Sequence, residues 1–372
     1  MRLVNSGVLH TGVDPARDVF SCFPSLCRLH SGEIIASFQV GPTKNHMYCT
    51  AAFSRSNLDE LRWSAAETPF RDWATVRGLT VHAAYLSEVE PGRILAALQL
   101  CDHLGDPSLP YFNSETGGLL PMRIGLCEST DGGWTWGEPR FLESDLFGDV
   151  PMPVHSPVVC MANGEMYLSF ETSKPYDQPG VWVHHAAYLV SADGGRTWGE
   201  TRVAAHDRED LVLYGDPRMV ALSGGRCLAS FWVIDNVTGM TRTAAMSVSP
   251  DGRTWPEVPA GTGIVGQPWP IPMDDDEIVV VMVDRYEEKA VFAVHSSDLG
   301  QSFGEKLVVY RHGQAAETPD NVEDWLTEIN DWAFGLPSGV RVDDREILIV
   351  WYAGSSTETS VYWARLHVPL EA

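Results

Sequence analysis

Short apolar runs recur along the chain, each preceded by a brief extended segment and a polar turn. One copy is residues 156–159, a turn at Gly164, and the apolar run 166–170. The pattern occurs six times, with apolar runs that begin at Ile34, Ile94, Met166, Cys227, Ile278 and Ile347. Runs of this length without strict alternation are typical of strands buried on both faces. The pattern therefore predicts an all-β chain of six similar antiparallel units.

A second repeat, of the form Ser-x-Asp-x-Gly-x-Thr-Trp, follows four of these units. It is complete at residues 129–136 and 191–198, lacks one residue at 249–255, and has Ser and Phe in place of Thr and Trp at 296–303. The Asp carboxylate accepts backbone N–H groups across a tight turn, and Gly supplies the positive φ that the turn needs. The aromatic ring has the size to fill a gap between neighbouring sheets. We interpret each box as a structural hairpin turn and expect none of its Asp residues to be catalytic.

The two ends of the chain predict how the repeat closes. The first unit has only a decayed box at residues 54–63, and the sixth ends at 361–366 with no box. The N-terminal segment 2–9 can supply the outer strand of the sixth unit and remove an open sheet edge. We predict one domain over residues 1–372, a six-bladed β-propeller of four-stranded antiparallel blades. Its box tryptophans are expected in equivalent buried places: Trp136, Trp198 and Trp255.

Asp boxes on a six-fold sheet repeat resemble the sialidase (neuraminidase) superfamily of BNR-repeat propellers. The resemblance covers nearly the whole chain and implies the same fold and a sugar-processing site. The superfamily places an Arg-Ile-Pro motif at the first inner strand, where residues 22–25 read Cys-Phe-Pro-Ser. Its nucleophilic tyrosine precedes the sixth inner strand, where residues 333–337 read Ala-Phe-Gly-Leu-Pro, and its glutamate partner corresponds to Asp216 in the segment 214–218. Because the carboxylate-binding arginine is replaced, we expect weak or absent release of sialic acid.

Charge and composition narrow the function classes. The 372 residues carry a formal net charge of −24, which disfavours binding to a phosphate backbone. No run of 18 apolar residues and no apolar leader core occur, so we expect no membrane partner and a cytoplasmic location. The seven cysteines are scattered without a C-x-x-C pair and are interpreted as reduced core residues. The histidines lack metal-ligand spacing, so we expect neither a metal nor another cofactor; the oligomeric state stays open.

Three carboxylates from neighbouring blades are the catalytic candidates, namely Glu171, Asp216 and Asp284. In such propellers the pocket lies over the central channel, lined by loops that lead into each inner strand and out of the next strand. We expect crowding and burial to raise the pKa of one carboxyl and keep it protonated as an acid. The predicted substrate-binding residues of the same rim are Arg218, Arg285, His155, Asp235, Gln267, Trp269, Trp332 and Tyr352. Asp235, Asp102 and Asp331 are the next carboxylate candidates.

Each of these candidates also has a structural interpretation. Asp284 and Arg285 can form a local ion pair, and Glu171 can bond a neighbouring loop. Asp216 precedes Pro217 and is a plausible turn residue. Residues 351–352 can belong to the core.

Three functions are consistent with this sequence. The first is a glycoside hydrolase, exo-acting on a short glycan, because a closed pocket suits a chain end and paired carboxylates suit glycosidic cleavage. The second is a non-catalytic carbohydrate-binding propeller, and the third is a polysaccharide lyase that uses His and Tyr. A hydrolase releases reducing sugar, a lyase releases products that absorb in the ultraviolet, and a binding protein releases nothing.

Overall fold

The computed structural model describes residues 1–12, 18–106, 109–313, 329 and 332–369; Asp331 lies outside these residues. They form six antiparallel sheets, which confirms the prediction of an all-β, six-bladed β-propeller. The strands are β1 (Arg2–His10), β2 (Phe20–Arg28), β3 (Glu33–Gly41), β4 (Thr50–Asn57), β5 (Leu79–Glu90), β6 (Arg93–Asp102), β7 (Met122–Ser129), β8 (Arg140–Leu142), β9 (Val159–Cys160), β10 (Met166–Glu171), β11 (Ala186–Ser191), β12 (Glu200–Ala205), β13 (Val212–Ala221), β14 (Cys227–Asp235), β15 (Thr243–Ser249), β16 (Ala260–Val265), β17 (Gln267–Pro272), β18 (Ile278–Asp284), β19 (Ala290–Ser296), β20 (Leu307–Arg311), β21 (Phe334–Arg341), β22 (Glu346–Gly354) and β23 (Thr359–His367).

The sheets follow the repeat read from the sequence. Four strands in chain order make up the sheets β5–β8, β9–β12, β13–β16 and β17–β20. In the sheet that contains β21, β22 and β23, the N-terminal strand β1 pairs antiparallel with β23. The sheet β2–β4 has three strands among the described residues, and an isolated bridge between Phe53 and Glu67 occupies the next position beside β4.

The described residues group into two compact units, 1–110 with 125–141 and 330–372, and 111–124 with 142–329. In the second unit, the fully buried rings of Tyr167, Tyr188 and Phe231 form the core together with Cys227. In the first unit, a core cluster contains Ile34, Phe38, Leu348 and Val350. These are the apolar runs of the repeat, buried as strands on both faces.

Helix is scarce in the described part of the chain. It contains one short α-helix, α1 (Arg71–Thr75), and one 3-10 turn at Ser223–Gly225. No helix there is long and apolar enough to cross a membrane. All seven cysteines are free thiols, and six are buried as expected, whereas Cys160 is exposed.

A bulge with unusual backbone geometry recurs in three inner strands. Phe23, Asp216 and Leu336 each precede a proline and have a positive φ, of 52°, 50° and 41°. The strand register shifts at each of these places. A positive φ in a non-glycine residue costs about 1–3 kcal/mol, and a following proline normally favours an extended conformation. Only the Asp216 copy bears an ionisable side chain, so this strained position carries an acid in one blade alone.

The Asp boxes form the predicted turns. At Asp193 one carboxylate oxygen accepts N–H bonds from Arg196 (3.0 Å) and Thr197 (2.9 Å), while the Thr197 hydroxyl donates to the other at 2.6 Å. The box tryptophans at 136, 198 and 255 are half-buried rather than buried. The indole N–H of Trp198 donates to the Gly195 carbonyl at 3.1 Å. The ring is tied to its own turn, which leaves part of its surface exposed.

We expect Asp193→Ala to lower the melting temperature without changing any activity per folded molecule. Hydrogen bonds from Thr197 hold the pKa of Asp193 below its ordinary value of 3.8. Its stabilisation is therefore present above pH 3.8 and is lost as the pH falls through the lowered pKa. Thermal melts at neutral and acidic pH measure this, with Asp59→Ala at an exposed position as control. A variant that melts like the wild type at neutral pH would contradict the structural role.

Candidate functional site

Glu171, His155 and Asp216 lie together in the second unit, and we call them the carboxylate–histidine cluster. The Nε2 atom of His155 lies 3.3 Å from a Glu171 oxygen, and its Nδ1 atom lies 3.1 Å from an Asp216 oxygen. One atom from each of the three side chains falls within 4.8 Å of the others. Their side chains are only 10–16% exposed. The structure thus brings together two of the three predicted catalytic carboxylates and places an imidazole between them.

Local structure explains how the cluster is assembled. Glu171 is the last residue of β10, so its side chain emerges where the buried strand ends. Asp216 occupies the β13 bulge, and its backbone N–H donates to Glu171 at 2.8 Å. His155 follows Val154, which forms an isolated bridge with Phe170 beside Glu171. The cluster therefore depends on the end of one inner strand and the bulge of the next.

His184 completes the surroundings of Glu171. Its Nε2 atom lies 3.3 Å from the second Glu171 oxygen, and its side chain is 2% exposed. The sequence alone did not assign His184 to the site. The usable signal is the alternation of side chains along an extended chain, which directs His184 and His185 to opposite faces.

The electrostatics of the cluster differ from the sequence-based expectation. Burial by itself raises the pKa of Glu171, but His155 and His184 outweigh it and hold the pKa below its ordinary value. Burial by itself lowers the pKa of His155, but Asp216 and Glu171 outweigh it and raise the pKa above 6.5. The expected protonated carboxyl is therefore not found at Glu171. The two flanking carboxylates favour the protonated form of the imidazole.

Arg218, Gln267 and Arg285 extend the cluster on the Asp216 side. The Arg218 guanidinium donates to Asp216 at 3.1 Å and to the Pro268 carbonyl at 2.9 Å. The Gln267 amide donates to the same Asp216 oxygen at 2.6 Å and accepts from Arg285 at 2.5 Å. These three residues are at most 4% exposed. They form a buried, hydrogen-bonded row behind Asp216, and the buried Trp269 ring lies 5.3 Å from the Arg218 guanidinium carbon.

Asp284 and Asp235 are turn residues in the structure. The two oxygens of Asp284 accept backbone N–H bonds from Tyr286 at 3.0 Å, Glu287 at 3.1 Å and Glu288 at 3.0 Å. Asp235 accepts N–H bonds from its own turn and pairs with Arg242. Burial opposes ionisation there, but the Arg242 hydrogen bond lowers the pKa of Asp235 to about 2. The structure does not place either carboxylate in the carboxylate–histidine cluster, because each is the last residue of its strand and caps the turn that follows.

Asp102 likewise serves a turn, since its carboxylate accepts the N–H of Leu104 at 2.8 Å.

Trp332 and Tyr352 belong to the first unit and surround Lys44 there. The Lys44 ammonium lies 5.6 Å from the Trp332 ring centre, 5.9 Å from that of Tyr352 and 5.8 Å from that of Phe23. Tyr352 is fully buried, and its hydroxyl lies 3.4 Å from the Trp332 carbonyl. The three rings pack around the Lys44 ammonium. For Tyr352, the sequence had allowed either a core position or a site position.

Three metal-ligand types are present in the carboxylate–histidine cluster, with one atom of each within 4.8 Å of the others. Both nitrogens of His155 face carboxylate oxygens, at 3.3 Å and 3.1 Å. Ion pairing explains this approach when the imidazole is protonated, and ligation of a metal ion by the same atoms explains it when the imidazole is neutral.

Comparison with known proteins assigns the chain to a family. The family described as BNR repeat-like domain matches residues 102–328, which is more than half of the chain. The chain belongs to the BNR repeat-like domain family. The match includes the whole carboxylate–histidine cluster and all four recognisable boxes, so the superfamily resemblance inferred from the boxes is confirmed. A comparison with curated proteins finds no match.

Solved structures show the same fold at low sequence identity. A protein of unknown function from Dyadobacter fermentans has a TM-score of 0.75 at 16% identity, with 99% of both chains covered. A Hadza microbial sialidase has a TM-score of 0.68 at 18% identity over 97% of this chain and 68% of its own. The intramolecular trans-sialidase of Ruminococcus gnavus, solved with oseltamivir carboxylate, has a TM-score of 0.66 at 13% identity over 97% of each chain. At these identities the likeness establishes the propeller fold of this BNR repeat-like chain.

Proposed function

We propose that this protein is a glycoside hydrolase that acts at the end of a short glycan and retains the anomeric configuration. The observation that carries the proposal is the pairing of Glu171 and Asp216 across His155. Retaining enzymes place their two carboxyl groups about 5–5.5 Å apart, whereas inverting enzymes need roughly 6.5–9.5 Å to admit a water molecule. One oxygen of Glu171 lies within 4.8 Å of one oxygen of Asp216, which is nearer to the retaining spacing than to the inverting one.

The proposed mechanism assigns each member of the cluster a task. Glu171, kept ionised by its two histidines, attacks the anomeric carbon as the bond to the leaving oxygen breaks. The His155–Asp216 pair supplies the proton to that oxygen. Water then attacks the same carbon, its proton returns to the His155–Asp216 pair, and Glu171 is released as a carboxylate. Arg218 and Gln267 hold Asp216 in place behind the reacting atoms.

The charge state of His155 bears on the lyase alternative. A lyase needs a neutral base to remove a proton beside a carboxylate, and the raised pKa of His155 favours its protonated form. The hydrolase is therefore the better supported of the two reactions. The remaining alternative is a non-catalytic sugar-binding role, for which no turnover is expected.

The pH profile follows from the two shifted groups. We expect kcat/KM to fall on the alkaline side as His155 loses its proton, with an apparent pKa above 6.5. It should fall on the acidic side only below the ordinary glutamate value of 4.5, because the pKa of Glu171 is lowered. His155→Asn should remove the alkaline limb along with much of the rate. An alkaline limb that survives this substitution would assign it to another group.

The first test is a panel of aryl glycosides and natural oligosaccharides, with release of reducing sugar as the readout. We expect at least one neutral or acidic sugar to be cleaved. Sialosides should be poor substrates, because the family arginine is replaced at a site where Cys22 is fully buried and bonds Thr359. Efficient sialoside cleavage would contradict this expectation, and release of unsaturated products would favour the lyase.

A further inference from the structure

The second unit contains a pocket outside the carboxylate–histidine cluster. Its volume is about 470 Å³, within the range of small-molecule sites. Its walls come from four loops, and these include Glu115, Lys174, Trp182, Asp210 and Val237.

Several exposed side chains in the wall of this pocket are apolar. Val181, Leu211 and Val237 line the pocket and are 67%, 46% and 66% exposed. Val183 and Met240, close to them in sequence, are also exposed. Adjoining exposed apolar side chains around a concavity are typical of ligand-binding surfaces. The buried Trp182 forms part of the lining.

The charge of the pocket is negative. Glu115, Glu209 and Asp210 line it, and the single lining cation is Lys174. The Lys174 ammonium is buried and donates to the Gly180 carbonyl at 2.7 Å. The lining thus has three carboxylates but one ammonium, which already donates to a backbone carbonyl. This excess of negative charge favours a cationic ligand and disfavours an anionic one.

Two side chains lie between the pocket and Glu171. The Trp182 ring that lines the pocket lies 6.1 Å, centre to centre, from the His184 ring. His184 in turn contacts Glu171 at 3.3 Å. The pocket is therefore a site separate from the carboxylate–histidine cluster.

We propose that this pocket binds a small apolar molecule that carries an amine. This proposal does not depend on the proposed hydrolysis. The apolar rim receives the body of the ligand and the three carboxylates receive its ammonium.

Binding of three similar probes tests the charge preference without any turnover. We expect phenethylamine to bind about tenfold more tightly than phenethyl alcohol, and 3-phenylpropionate to bind least, by calorimetry at low salt. Added salt should weaken the amine most. Equal binding of all three probes, or no amine binding, would overturn the proposal.

A matched pair of variants locates the binding. Val181→Lys places a cation in the mouth and should weaken phenethylamine binding about tenfold. Val258→Lys makes the same change at a position that is 68% exposed and does not line the pocket, and it should bind like the wild type. Equal effects of the two variants would overturn the assignment.

Discussion

Glu171→Gln is expected to slow glycoside turnover by roughly 10²–10⁴ or more while leaving the fold intact. The amide keeps the size of the side chain but removes the negative charge that attacks and stabilises the anomeric carbon. Asp216→Asn should have a comparable effect, because it removes the charge that keeps His155 protonated. Steady-state kinetics on the best substrate of the panel, with circular dichroism to confirm folding, measure both.

Asp284→Asn is the matched control for this pair. It changes a buried carboxylate that caps a turn, so activity per folded molecule should stay within about tenfold of wild type. If all three variants turn over at nearly wild-type rates, the reaction centre lies elsewhere.

Arg218→Ala is expected to destabilise the protein by about 3–5 kcal/mol. The substitution leaves the buried Asp216 carboxylate without its guanidinium and removes a donor to the Pro268 carbonyl. The Arg218 side chain is 5% exposed and that of Asp216 is 10%, so water does not replace the lost partner. Chemical denaturation measures the free energy of unfolding.

Arg226→Ala is the control for this second prediction. Arg226 pairs with Asp276 at 2.7 Å, but the two side chains are 30% and 58% exposed. Exposed pairs contribute about 0–1 kcal/mol, so this variant should unfold close to the wild type. Equal losses in the two variants would contradict the claim that Asp216 depends on a buried counter-charge.

The fold was readable from the sequence because the box and the apolar run each reflect a local physical requirement. A turn that needs positive φ selects Gly and Asp, and a doubly buried strand selects an apolar run. The same logic brought Glu171 and Asp216 to one place, since Glu171 ends β10 and Asp216 lies in the first half of β13. The N-terminal strand, which pairs with β23, was also visible as a missing outer strand of the last repeat.

The charge states of the side chains within the site could not be predicted from the local sequence. Nothing in the local sequence indicates that His155 lies between Glu171 and Asp216, because that contact joins residues 16 and 61 positions apart. The imidazole reversed the expected pKa shift of Glu171 by placing a positive charge where repulsion between carboxylates was expected. Asp284 looked equivalent to Glu171 because both end a strand. The carboxylate of Asp284, however, accepts hydrogen bonds from the backbone of the tight turn that follows it.

Proton NMR of substrate conversion tests the central claim most directly. The wild type and Glu171→Gln are each mixed with the best substrate, and the anomeric signals of the first-formed sugar are followed before mutarotation. The account predicts that the wild type releases the sugar in the configuration of the substrate and that Glu171→Gln releases almost none. A product of inverted configuration, or equal release by both proteins, would contradict it.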